Sequence, residues 1–156
     1  MDPRSLRDVV ALRVLVPLDG SDVTFQALDR ALAMLRGTPG LRLTLFNVVA
    51  EGFDDANEDM VERFDEDEDD EVFPTEEAGR RMLKEAEAIC RRHDVQAVTQ
   101  VVKGKVVQSI LDACSGHDML VMHSLGRSQL RSTLRGSQTE KLARQAGVSV
   151  LLVHTG

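Results

Sequence analysis

The sequence predicts an α/β fold, a five-stranded parallel sheet with helices on both faces. Three observations predict it. Short apolar segments rich in β-branched residues recur five times and alternate with longer segments whose apolar residues fall at helical spacing. The strand segments read as apolar on both faces, as strands sandwiched between helices do. A helical segment stands between consecutive strands, and such connections make the sheet parallel.

Taken in order, LRVLVPLD at residues 12 to 19 is apolar and ends on Pro17 and Asp19, as a buried strand running into a loop does. Ser21 then offers a cap to a helix that carries Phe25, Leu28, Ala31, Leu32 and Leu35 on one face and stops at Gly37 and Pro39. LRLTLFNVV at 41 to 49 alternates and then turns continuously apolar, which suits a second strand. Beyond Pro74, TEEAGRRMLKEAEAICRRH places Met82, Leu83, Ala86, Ile89 and Cys90 together, with acids early and bases late to match a helix dipole. VQAVTQVV at 95 to 102 is the third strand. Val106, Val107, Ile110, Leu111 and Cys114 mark a short helix, and DMLVMHS at 118 to 124 is the fourth strand. A glycine-bearing loop leads to a helix over roughly 136 to 146 bearing Leu142 and Ala146, and VSVLLVH at 148 to 154 closes the chain.

All 156 residues fit one domain, large enough to bury about two-thirds of the surface of its unfolded chain. No apolar run approaches the ~20 residues of a membrane span, and the N-terminus lacks a clean signal-peptide core. A cytoplasmic location is expected. The two cysteines, Cys90 and Cys114, fall in amphipathic helices without ligand-type spacing and read as buried free thiols. The net charge of −7 is unevenly distributed: residues 51 to 77 hold fifteen Asp or Glu and one basic residue, Arg63, leaving eleven acidic and eighteen basic residues elsewhere. Residues 51 to about 77 read as a flexible acidic loop, whose core run DEDEDDE at 65 to 71 should be solvated, since like charges repel and little apolar surface offsets the entropy of ordering. It lacks the Gly and closing Glu of an EF-hand, and no metal ligands are identified elsewhere.

In a parallel α/β sheet, ligands bind beyond the carboxyl ends of the strands. Asp19, Val48 and the loop starting at His123 all lie there. In that loop Gly126 is followed by nine residues and then Gly136-Ser137 at the mouth of a helix. Backbone N–H groups at such a helix start, with the positive end of its dipole, suit a phosphate, and Arg127, Arg131 and Arg135 add positive charge. Read singly, Gly126 is also a turn residue and Ser137 an N-cap.

Three stretches in register, VLVPLDGS, GKVVQSILDACSGHDMLVM and GRSQLRSTLRGSQTEKLARQAGVSVLLV, resemble the universal stress protein family over nearly the whole chain except the N-terminal dozen residues and the acidic loop. The resemblance implies strand order 3-2-1-4-5 in an adenine nucleotide alpha hydrolase-like fold, and a homodimer through the last strand. In one subgroup it implies ATP or another adenine nucleotide held without vigorous hydrolysis, with a divalent cation on the phosphates as a companion. Carried over residue by residue, Asp19, with Pro17 two residues before it, would hold adenosine, and Val48 would meet adenine through its backbone. Gly126, Arg127, Ser128, Gly136, Ser137 and Gln138 would cradle phosphates. The subgroup's first loop glycine is replaced by His123, which offers neither close backbone approach nor an easy positive φ. That imidazole either crowds the ribose or hydrogen-bonds a phosphate.

Nothing in the sequence assembles a catalytic constellation. His93, His117 and His154 fall at element ends and read as exposed polar residues, and no Lys stands in a Walker-type position. Any ATP hydrolysis should be slow. Nucleic-acid binding is disfavoured, because the basic stretch 127 to 144 carries no aromatic residue to stack on bases. The competing reading is a stress protein of the same fold that binds no nucleotide and acts as a protein-interaction module.

Overall fold

The structure, a computed structural model, describes residues 11–50, 75–124 and 136–154. The acidic stretch up to residue 74 and the loop from 125 to 135 lie outside the described residues. The elements alternate as the sequence predicts: β1 (Arg13–Pro17), α1 (Asp22–Leu35), β2 (Arg42–Ala50), α2 (Glu76–Arg92), β3 (Ala97–Gly104), α3 (Val106–Cys114), β4 (Met119–Ser124), α4 (Gly136–Gln145) and β5 (Ser149–His154). The strands form one sheet in the order β3-β2-β1-β4-β5, and every pairing is parallel.

Two apolar layers hold the helices on the sheet. On one face Val14, Val16, Leu43, Leu45 and Val121 meet Leu28 and Leu32 of α1 and Leu83 and Ala86 of α2. On the other, Leu15, Phe46, Leu120 and Met122 meet Ile110 and Cys114 of α3 and Leu142 of α4. Burying a Leu or Ile side chain fully is worth about 1.5–3 kcal/mol. The central strand therefore carries the fold, with Val14 and Leu15 fully buried and Val16 nearly so. Cys90 and Cys114 are buried free thiols. Burial, aided by Glu87, pushes the Cys90 thiol up to about 11, and burial raises Cys114 as well. Both are unreactive as nucleophiles.

The differences from the sequence reading are local. Glu76 and Glu77, counted with the acidic loop, form the first turn of α2, and Thr75 is its N-cap, accepting the Ala78 N–H at 3.1 Å. Those acids favour the positive end of the helix dipole, which is why they leave the loop. The third strand starts at Ala97, because His93 to Val95 form a turn in which Asp94 takes φ 57°. β3 is not apolar on both faces: it is an end strand, and Val98, Thr99 and Gln100 are exposed. Ser21 stands at the cap of α1 but its side chain accepts no capping bond.

Two of the histidines read as exposed are engaged. His117 is half-buried, its Nδ1 2.7 Å from the Ala113 carbonyl and its Nε2 2.8 Å from the Thr44 hydroxyl. His93 sets Nε2 2.8 Å from Asp29 of α1, tying the end of α2 to its neighbour. His154 is exposed, as expected.

Candidate binding site at the carboxyl edge

The chain leaves β1 at Pro17 and is at once tied to β2. Leu18 donates its N–H to the Phe46 carbonyl at 2.8 Å, and its own carbonyl accepts from Asn47 Nδ2 at 2.9 Å. Both backbone groups of a buried residue are thus satisfied, so the position of the next residue is fixed. That residue is Asp19. Gly20 turns the chain with φ +88°, a conformation that favours glycine, and brings Ser21 back against Asp19. Asp19 Oδ1 accepts from the Ser21 N–H at 2.8 Å and the Ser21 hydroxyl at 2.5 Å, and lies 3.2 Å from the Thr24 hydroxyl. The Ser21 hydroxyl is turned toward Asp19 and makes no capping bond to α1.

Asn47 is itself held by close packing. A Cβ on Gly79 of α2 would lie 2.5 Å from Asn47 Oδ1, so only glycine lets the helix sit this near β2. The sequence reading missed Asn47, although a buried asparagine inside the apolar run LFNVV was its visible signal.

His123 lies near the end of β4, paired in register with Val153 of β5 and 3% exposed. Its Nε2 is buried and, among the described residues, has no hydrogen-bond partner. Leaving such an atom unsatisfied costs about 1–3 kcal/mol, an expense that a ligand atom would remove. Desolvation lowers the imidazole pKa and the Asp19 charge opposes this only in part. The ring is accordingly neutral at neutral pH, with one nitrogen donating and the other accepting.

Pro17, Asp19, Val48 and His123, predicted from separate segments, line one cavity of about 70 Å3 together with Thr24 and Asn47. The cavity is the small inner part of this edge. Gly136 opens α4, Ser137 and Gln138 follow it in the first turn, and the helix N-terminus supplies backbone donors with no intrahelical partner. Thr139, one residue on, is buried with its hydroxyl unpartnered, a feature the sequence reading did not single out. Gly126, Arg127 and Ser128 lie outside the described residues. Among the described residues no group of three or more His, Cys, Asp or Glu could hold a metal ion.

With this geometry in view, the relatives are informative. The model of the universal stress protein family matches residues 12–154. No curated protein matches the chain. Among solved structures, a universal stress protein in complex with cAMP superposes with a TM-score of 0.66 at 23% identity, covering 94% of this chain and 98% of that one. A family protein from Burkholderia pseudomallei gives 0.62 at 27% identity, covering 92% and 96%. A family protein from Arabidopsis thaliana with AMP bound gives 0.64 at 16% identity, covering 93% and 92%. The likenesses establish the shared fold.

Proposed function

Since the chain belongs to the universal stress protein family over residues 12–154, we propose that it binds ATP or another adenine nucleotide at the carboxyl edge of β1 and β4, and serves as a stress-response regulator. The observation that carries this reading is the convergence of Asp19, Val48 and His123 on one cavity, with an unpartnered buried imidazole nitrogen there. Asp19 stands on the adenosine side. Gly126, Arg127, Ser128, Gly136, Ser137 and Gln138 surround the phosphates, whose charge the start of α4 favours. Structures of relatives with cAMP and AMP support the ligand class. A divalent cation, where present, rides on the phosphates. Any hydrolysis should be slow.

The second reading, an interaction module without nucleotide, is favoured by the small cavity beside His123. The two separate on a direct test. Isothermal calorimetry with ATP, ADP, AMP and cAMP, together with absorbance of the purified protein, should show binding in the parent or in His123→Gly. No binding in either, with both folded, rejects the nucleotide reading and leaves the module.

The same reading includes a homodimer through β5. In the described sheet β5 pairs only with β4, and Leu152 on it is 44% exposed. An open apolar edge invites uncontrolled pairing unless it is covered, and an antiparallel two-fold contact covers it. A monomer in sedimentation at micromolar concentration would reject the dimer. A cytoplasmic location goes with this reading; among the described residues no helix is long and apolar enough to cross a membrane.

A further inference from the structure

The opposite, amino edge of the sheet has a different character. Two concavities of about 810 and 670 Å3 adjoin there and share Arg42, Val95 and Gln96. Arg13 and Arg91 line the first, Arg36 and Arg92 the second. Strand register sets Arg13 directly beside Arg42 on neighbouring strands, a like-charge juxtaposition that is unfavourable unless something anionic answers it. Asp118 answers Arg13 at 3.3 Å and Glu87 answers Arg91 at 3.7 Å. Among the described residues, Arg36, Arg42 and Arg92 have no carboxylate within ion-pair distance. His93, in the second concavity, is already engaged by Asp29. Among the described residues, three guanidinium groups at one edge of a chain of net charge −7 thus stand outside any ion pair, with Asp94 lining the second concavity beside them.

The first concavity is not purely polar. Leu43, Ala97 and Val98 contribute to its lining, and Val98 is 63% exposed on a strand at the end of the sheet. β3 pairs only with β2 in the described sheet, so its outer row of backbone groups faces away from other strands. Arginine forks match carboxylates with two parallel hydrogen bonds, and an end strand accepts an extended chain beside it. No Phe, Tyr or Trp lines either concavity, and the imidazoles that do, His117 and His93, are engaged by Thr44 and Asp29, which disfavours stacked bases.

The geometry points to a docking surface for an acidic peptide segment of a partner protein. Its carboxylates meet Arg36, Arg42 and Arg92, and one apolar side chain covers Val98. The surface lies at the other end of the strands from Asp19 and His123, so it does not depend on nucleotide binding. The test is fluorescence anisotropy of a labelled Glu-rich decapeptide with one central Phe, titrated with the full chain at low ionic strength. Binding should weaken by at least about tenfold in Arg36→Glu/Arg42→Glu/Arg92→Glu and by a smaller factor in the corresponding Gln variant. It should also be lost when Gln replaces Glu in the peptide. Equal affinity in the parent and the Glu variant, with unchanged melting of both, overturns the proposal. So does tighter binding of a single-stranded oligonucleotide of the same charge than of the peptide.

Discussion

The two edges of this sheet share their strands yet are organised in opposite ways. At the carboxyl edge, polar side chains from three separate segments are drawn inward and hydrogen-bonded: Asn47 to Leu18, Ser21 to Asp19, with His123 buried beside them. At the amino edge long, exposed arginines stand around open concavities alongside the hydrogen-bonded His117 and Thr44, and among the described residues three of them have no ion-pair partner. One edge is built to hold positions and the other to present charge. Substitutions should therefore act through geometry at the first and through ionic strength at the second.

The greatest expected effect is on ligand binding. Gly136→Val places a branched side chain where, in the proposed site, backbone donors would meet phosphate, and calorimetry should record loss of nucleotide binding with the fold intact. An unchanged affinity would remove α4 from the site.

Next comes stability at the carboxyl edge. Asn47→Ala leaves the buried Leu18 carbonyl without its donor and should cost about 1–3 kcal/mol in urea unfolding. Gly79→Ala should cost a comparable 1–3 kcal/mol or so by overpacking against Asn47. Arg42→Gln, at the other edge, should stay within about 0.5 kcal/mol of the parent. Equal losses at both edges would erase the contrast.

A finer distinction lies in pH. The buried environment of His123 lowers its folded pKa below the 6.5 of the exposed ring, so the unfolded chain takes up this proton first. The contribution is present in full above about pH 6.5 and is lost as the pH falls through that value toward the folded pKa. Unfolding at stepped pH should show the decline in the parent and a flatter profile in His123→Gln. An identical slope in both would mean the imidazole is not held neutral.

The smallest effect is expected at the Arg13–Asp118 pair. Arg13 holds the Asp118 carboxyl below its ordinary value through hydrogen bonds. Stability from this pair is present above the ordinary carboxylate range and fades as the pH drops through the lowered value. Both partners are well exposed, so Asp118→Asn should barely move the melting temperature, and added salt should abolish the difference.

The fold was legible because its signals are local: apolar segments and helical spacing mark every element between Arg13 and His154. Strand order was not, since an apolar run looks the same at the centre or the end of a sheet, and the order came from family resemblance. The bare face of β3 was missed for that reason. At the site, Asp19, Val48 and His123 were legible as residues at strand ends. The Asn47 bond to Leu18 joins segments distant in sequence, and the juxtaposition of Arg13 and Arg42 arises from register, which no local pattern encodes.

The contact between Gly79 and Asn47 reaches beyond packing. Because the amide occupies the space a methyl would need, the two positions cannot drift independently through descent. A side chain at the first forces a shift of the helix or of the Asn47 amide, and a turned amide would release the Leu18 carbonyl that precedes Asp19. Helix α2, which touches no proposed ligand, is in this way made an inherited condition of the loop that would hold one.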